Sequence, residues 1–377
     1  MKLGVEVFLE KHANDYRGQR IGLVTNLTGV NHMLIPTIDL FHEHEHLGLT
    51  ALFGPEHGIR GDAKEGEHVG SSVDKETGLP VYSLYGETRK PTPDMLQDVD
   101  VMVFDLQDIG TRYYTYIYTM AYVMEACGEQ GIPFVVLDRP NPINGMTLEG
   151  NLVDEDCRSF VGLYPIPVRH GLTIGELAQL FKEQFGVRCD LTVIPMEGWS
   201  RKMHFDETGL LWVPPSPNAS GLDMGLLYPG TCLVEGTNLS EGRGTAKPFE
   251  MVGAPFIDGY RLAKALNERR MPGILARPVS FVPTYQKHVG ERCEGVQLHV
   301  TDRTALQSFS AGLQLLETIT EMYPESFSYK EADFFDQLAG TKQLKPHIEN
   351  GTTSSYVEQC QPVLSAFRKI ACSYLLY

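Results

Sequence analysis

Three short apolar runs in the first half of the chain each end in groups suited to acid–base or ion-pair chemistry. Run 49–53 leads into Gly54-Pro55-Glu56-His57-Gly58. Glycines on both sides allow a sharp turn and leave Glu56 uncrowded. A carboxylate there suits a general acid or base, with His57 as orienter, or simply a cap on a nearby amide. Run 101–104 leads into Asp105-Leu-Gln-Asp108-Ile-Gly-Thr-Arg112-Tyr113-Tyr114. If this stretch opens a helix, its free amides favour anions, and Arg112 adds a bidentate carboxylate ligand. The plainer alternative is an N-cap by Asp108 with Arg112 in a structural ion pair. Run 132–137 leads into Asp138-Arg139-Pro140-Asn141-Pro142. Two prolines stiffen that loop, so it either presents an Asp, an Arg and an Asn to sugar hydroxyls or braces itself through Asp138 and Arg139. A fourth stretch, Glu235-Gly-Thr-Asn238-Leu-Ser-Glu241-Gly-Arg243-Gly-Thr, is equally dense in polar groups and glycine.

These clusters need elements to hold them. Short apolar runs bounded by Gly, Pro and Asn read as buried strands. They alternate with helical spacing at 34–45, 113–127 and 173–185, where Thr173 and Glu176 form a capping-box pattern. Strands at 20–26, 49–53, 81–84, 99–104, 132–137 and 191–194 complete an α/β pattern, predicting a Rossmann-like, mostly parallel sheet. Ligands sit outside the carboxyl ends of strands in such sheets. Glu56, His57, Asp105, Asp108, Arg112, Asp138 and Arg139 are therefore expected to crowd one rim. Stretch 58–78, rich in Gly and charge, reads as a loop covering that rim. The Pro- and Gly-rich stretch 212–230 disfavours helix or strand and marks a division into domains 1–228 and 229–377. The second is expected to be a smaller α+β domain closing the cleft, with helices at 258–269, 304–322 and 355–374 and strands near 279–282 and 295–300.

Composition narrows the function. A net charge of −16 over 377 residues argues against nucleic acid or an anionic membrane surface as partner. Seven scattered cysteines with no C-x-x-C pair suggest free thiols, neither a disulfide framework nor a zinc site. No run approaches the roughly 18 apolar residues of a membrane span. The chain as given carries no export signal, so a cytoplasmic location is expected, or a secreted one if a signal was removed. No Gly-x-Gly-x-x-Gly follows a strand and no Gly-x-Ser-x-Gly is present, which disfavours a dinucleotide enzyme and an α/β-hydrolase. His42, His44 and His46 alternate at a helix end, a spacing that does not converge on one ion.

Five motifs occur in a characteristic order: Gly-Pro-Glu56-His57-Gly, Phe104-Asp105 through Arg112-Tyr-Tyr, Asp138-Arg139-Pro-Asn141-Pro, Pro214-Pro-Ser-Pro-Asn218, and Glu235 through Arg243-Gly-Thr. In them the chain closely resembles the exo-β-N-acetylmuramidase family, over nearly its whole length. The resemblance implies a peptidoglycan-recycling glycosidase that releases N-acetylmuramic acid from the non-reducing end of muropeptides or muramyl disaccharides, in a cleft between two domains, without a cofactor or metal. Glycosidases commonly use two carboxyl groups; from the residues themselves, Glu56 assisted by His57 is the expected acid, with Asp105 or Glu241 as partner. The lactyl carboxylate of muramic acid asks for an arginine, with Arg112 as first choice among Arg60, Arg112, Arg139 and Arg243. Asp108, Tyr113, Tyr114, Asp138, Asn141, Asn218 and Asn238 are the remaining expected substrate contacts.

Two other readings stay open. His57, His68, Asp105 and Asp108 could hold a divalent metal for hydrolysis or deacetylation of cell-wall sugars. A two-lobed sugar-binding protein without catalysis is the other.

Overall fold

The structure is a computed structural model and describes residues 1–56, 58–59, 72–330 and 333–377. The first lobe is built on seven strands: β1 (Arg20–Thr25), β2 (Gly48–Gly54), β3 (Ser72–Val73), β4 (Pro80–Ser83), β5 (Val101–Asp105), β6 (Phe134–Leu137) and β7 (Leu191–Ile194). Their order is β3-β4-β2-β1-β5-β6-β7, parallel except where β3 runs against β4. β5 and β6 are buried along their whole length, as expected of strands covered by helices on both faces. The smaller lobe carries an antiparallel sheet, β8 (Met251–Ala254), β10 (Cys293–Val300) and β9 (Ile274–Phe281) in that spatial order. The α/β architecture with a smaller α+β lobe is the one expected from strand–helix alternation.

Local chemistry explains several element ends. Helix Ile174–Gln184 starts with the capping box read from sequence: Thr173 Oγ1 accepts from the Glu176 amide, and Glu176 Oε2 accepts from the Thr173 amide at 3.0 Å. Helix Tyr116–Gln130 ends at Gly131, whose φ of +66° is the left-handed cap that glycine adopts at least cost. That helix starts three residues later than its apolar spacing suggests. The Arg112 amide donates to the Val168 carbonyl at 2.8 Å, which keeps 112–114 out of the helix and turns Tyr113 and Tyr114 toward the second lobe. Helix Gly4–Lys11 had no counterpart in the sequence reading.

The stretch 212–230 corrects an expectation. Despite its prolines it contains helix Leu222–Thr231, with Pro229 inside. An interior proline costs about 3 kcal/mol. Met224, Leu226, Leu227 and Tyr228 are all buried, and each contributes about 1.5–3 kcal/mol, so tertiary burial wins. The expected division between residues 228 and 229 falls within this helix.

One hydrophobic core runs through both lobes, from Phe104 and Tyr118 to Leu227, Phe309 and Leu364, and a second lies beneath helix Gly4–Lys11. Among the described residues no helix is long and apolar enough to cross a membrane.

Helix Leu222–Thr231 packs on helix Ser308–Met322 through two glycines. A Cβ at Gly312 would lie 2.4 Å from the Gly230 backbone. Helix propensity alone favours Gly312→Ala by about 1 kcal/mol, but overpacking costs about 1–3 kcal/mol. Gly312→Ala is therefore expected to lower the denaturation midpoint. An unchanged or raised midpoint would show that these helices separate freely.

Candidate active site

A cavity of about 700 Å³ lies between the lobes. Glu56, just past β2, enters it from the first lobe, half-buried, with Thr115 Oγ1 donating to its Oε2 at 3.4 Å. Glu235, Glu241 and Arg243 enter it from the segment after helix Leu222–Thr231. Arg243 Nη1 is 2.9 Å from Glu235 Oε2 and 2.9 Å from Glu241 Oε1. Lys287 Nζ is 2.8 Å from Glu241 Oε2. Gly242, with φ of +79°, makes this loop tight enough; a Cβ there would sit 2.6 Å from the Met251 carbonyl oxygen.

The electrostatics follow from burial. Glu241 is 2% exposed. Burial pushes its carboxyl up, but Lys287 and Arg243 outweigh that and hold it below the ordinary glutamate value, hence ionised. The walls are aromatic: Tyr113, Tyr114 and Phe249 each meet the Tyr228 ring edge to face. At the rim, the Arg89 guanidinium lies 4.0 Å over the Phe160 ring, and the Lys330 ammonium lies 5.3 Å from the Phe334 ring. A cavity with aromatic walls and several charged groups suits a sugar held by its faces and oriented by its hydroxyls.

Of the residues singled out in the sequence, Glu56, Glu241, Tyr113, Tyr114, Asn218 and Arg243 line this cavity. The others are held elsewhere by identifiable bonds. Asp105 is fully buried; Arg139 Nε and Nη2 donate to its two oxygens at 2.5 and 2.8 Å, and Thr37 donates at 2.5 Å. Neither Asp105 nor Arg139 lines the cavity, and the pair leaves a void of only about 20 Å³ beside it. Asp108 turns back to accept from the Gly110 amide at 2.7 Å, with His170 3.4 Å away. The metal reading loses Asp105 to its ion pair; among the described residues no group of three potential ligands converges on one point.

Asp138 accepts from Thr173 Oγ1, the Gly175 amide and the Tyr377 hydroxyl, and burial pushes its carboxyl up to about 7 against the pull of those donors. Asn141 bonds the Leu172 carbonyl, and Asn238 bonds the Ser326 carbonyl and the Ser328 amide. Arg112 is fully buried, donating to the carbonyls of Asn151, Ile166, Leu338 and Ala339. It is a strut between lobes, and the expected anchor must be sought elsewhere. His57, Arg60 and His68 lie outside the described residues, as does most of the expected covering loop.

Sequence reasoning missed Glu235, although it opens the motif from which Glu241 was chosen. It also missed Arg89, Phe160, Tyr228 and Lys330, which carry no motif signal and meet the cavity only through the tertiary fold.

Family models of the N-terminal and C-terminal parts of exo-beta-N-acetylmuramidase NamZ match residues 21–223 and 226–377. The chain belongs to this family. It is 51% identical to the peptidoglycan beta-N-acetylmuramidase NamZ of Bacillus subtilis (strain 168), over 100% of this chain and 91% of that protein. Two crystal structures from Bacteroides fragilis NCTC 9343, both of DUF1343 family proteins, share its fold. One has TM-score 0.93 and 39% identity, the other 0.82 and 29%; each match covers 100% of this chain and 98% of the other. The five motifs that carry the resemblance lie within the matched ranges, though much of their polar content builds the frame around the cavity.

Hydrogen bonds to a charged donor are worth about 1.5–3 kcal/mol each, and orphaned carbonyls add to the cost of losing them. Arg112→Met is expected to lower stability by about 3–5 kcal/mol, a loss in the range of buried-network disruption. The KM of the folded protein should stay within about twofold, an effect below 0.5 kcal/mol. A large KM change in a protein of normal stability would return Arg112 to the substrate.

Proposed function

We propose that this chain releases N-acetylmuramic acid from the non-reducing end of muropeptides or muramyl disaccharides, and that the interlobe cavity is where it does so. The chain is a glycosidase by family. The observation that carries the site is the meeting of three carboxylates, Glu56, Glu235 and Glu241, on one aromatic-walled cavity. They enter from two lobes, an arrangement that can place carboxyl groups on both sides of a glycosidic bond. Glu235 and Glu241 share Arg243, and Glu241 also has Lys287. Lys287 and Arg243 hold the Glu241 carboxyl below its ordinary value, and an ion-paired carboxylate suits a nucleophile or base. Glu235, with 15% of its side chain exposed against 2% for Glu241, is the one of the two that acts on the sugar, with Glu241 behind it. Glu56 comes from the other lobe, where the Thr115 hydroxyl donates to its Oε2 at 3.4 Å. It supplies the proton to the glycosidic oxygen as the sugar–oxygen bond breaks.

The lactyl carboxylate needs a cation not already shared by two carboxylates. Lys330 lines the cavity, is exposed, and among the described residues has no carboxylate within 4 Å. It takes the place first expected of Arg112.

The test is sugar release from a muramyl disaccharide and from chromogenic muramyl and glucosaminyl analogues. Free N-acetylmuramic acid, with little glucosamine release, is expected; no release from any muramyl substrate would defeat the reading. Glu56→Gln keeps the shape and removes the transferable proton, so kcat should fall by roughly 100-fold or more. Lys330→Met should raise KM about tenfold, the equivalent of about 1.4 kcal/mol, with kcat nearly unchanged. Normal KM in Lys330→Met would move the anchor to Arg89.

A further inference from the structure

The connection between β9 and β10 is fastened to the cavity's ion-pair loop. Gln286 and His288 have φ of +67° and +57°, a region disfavoured for residues that carry a Cβ. Between them Lys287 sends its ammonium inward. Its Nζ donates to the carbonyls of Val234 at 2.9 Å and Leu239 at 2.7 Å and lies 2.8 Å from Glu241 Oε2. Two of the ammonium's three donors are thus taken by backbone carbonyls, and its charge faces Glu241. The flanking residues are tied to the same stretch. Tyr285 donates to Asn218 Oδ1 at 2.7 Å, His288 Nε2 lies 2.7 Å from the Asn238 carbonyl, and the Thr284 amide and hydroxyl donate to the Gly244 carbonyl at 3.1 and 3.0 Å. Every one of these partners lies in 218–244, the segment that carries Glu235, Glu241 and Arg243.

We propose that Lys287 is a positioning residue for glycoside cleavage: it neutralises buried Glu241, and so leaves Arg243 to hold Glu235 in place on the cavity. The proposal rests on the glycosidase reading of this site. Its core is a charge count. Among the described residues, Glu235 and Glu241 face Arg243 and Lys287, two of each sign. Without Lys287 the two carboxylates share one guanidinium in a buried place. One of them then takes up a proton, or Glu241 draws Arg243 away from Glu235.

Among the described residues, the other groups around the network do not replace the missing charge. The Cys232 thiol lies 3.6 Å from Glu235 Oε1 with Tyr228 beside it, and burial pushes both of these groups up, so they stay neutral. Lys330 is near enough to disfavour the Lys287 charge but makes no ion pair with either carboxylate. His288 is engaged with the Asn238 carbonyl.

The experiment is the pH dependence of kcat and KM for Lys287→Met on a chromogenic muramyl substrate. Removing the cation raises the affinity of the carboxylate pair for a proton. The acid limb of kcat/KM should therefore move up by about one pH unit or more. At pH below about 6, kcat should fall at least about tenfold, recovering in part above pH 7, with KM within about threefold. Lys287→Met combined with Glu241→Gln removes both members of the pair and leaves Arg243 with Glu235. That double variant should return the acid limb to within about 0.3 unit of its original position and recover most of the lost kcat, a coupling that independent sites do not show. A loss of equal size at every pH, an unshifted profile, or a folded double variant no more active than Lys287→Met overturns the proposal. If Lys287→Met does not fold, the double variant alone decides: an acid limb at the original position supports the proposal, and an inactive folded protein overturns it. Parent protein that releases no N-acetylmuramic acid defeats the activity reading, an outcome distinct from all of these.

Discussion

A carboxylate buried at the centre of a parallel sheet must be paired, and the pairing of Asp105 with Arg139 governs how this molecule is laid out. Asp105 ends β5 beside β1, where the strand order reverses. In open α/β sheets that crevice is the usual place for a ligand. Here it is filled by a two-pronged ion pair, closed from the side by Thr37 and by the Val30 carbonyl, which accepts from Arg139. Removing either partner would strand a buried charge, at a cost of several kcal/mol. The crevice is therefore part of the frame. The polar residues that follow the strands are turned inward to support it, and the space for a ligand moves outward to the seam with the second lobe.

That seam combines rigidity with chemistry. The hydrophobic core is continuous across it, Arg112 ties four carbonyls from three stretches of chain, and Gly230 lets two helices touch. Groups on the cavity are thus held on well-packed elements, the condition for fixing a proton donor and an ionised carboxylate at a set separation. The charges are balanced locally: two glutamates against an arginine and a lysine on one wall, with Glu56 entering from the other lobe. In the proposed site, and among the described residues, this balance would let a chain of net charge −16 take an anionic sugar. The nearest carboxylates are neutralised, and Lys330 stands at the rim.

Much of the architecture was legible from the residues because burial and capping are local in their effects. β-rich runs covered on both faces have to be apolar, and β1, β5, β6 and β7 announced themselves that way. Thr173 and Glu176 announced a helix start because each satisfies the other's orphan amide. Where the sequence misled, a distant partner outweighed the local rule. Pro229 sits in a helix because four buried side chains outweigh its cost. Tyr113 and Tyr114 stay outside a helix because Val168 claims the preceding amide.

The candidate site divides along the same line. The sequence by itself determined the family, through five ordered motifs, and with it the class of chemistry; it also placed Glu56, Glu241 and Arg243 in those motifs. It did not say which of its many buried polar residues are frame and which face the ligand. Asp105, Asp108, Arg112, Asp138 and Arg139 have the residue types of an active site and serve as internal bonds. Glu235, Lys287 and Lys330 gave less signal, yet they stand on the cavity or behind it. Only the tertiary structure decided this. A charged side chain's role depends on whether its partner is inside the protein or is the substrate, and those partners come from far along the chain: 34 residues for Asp105 and Arg139, and 227 for Arg112 and Ala339.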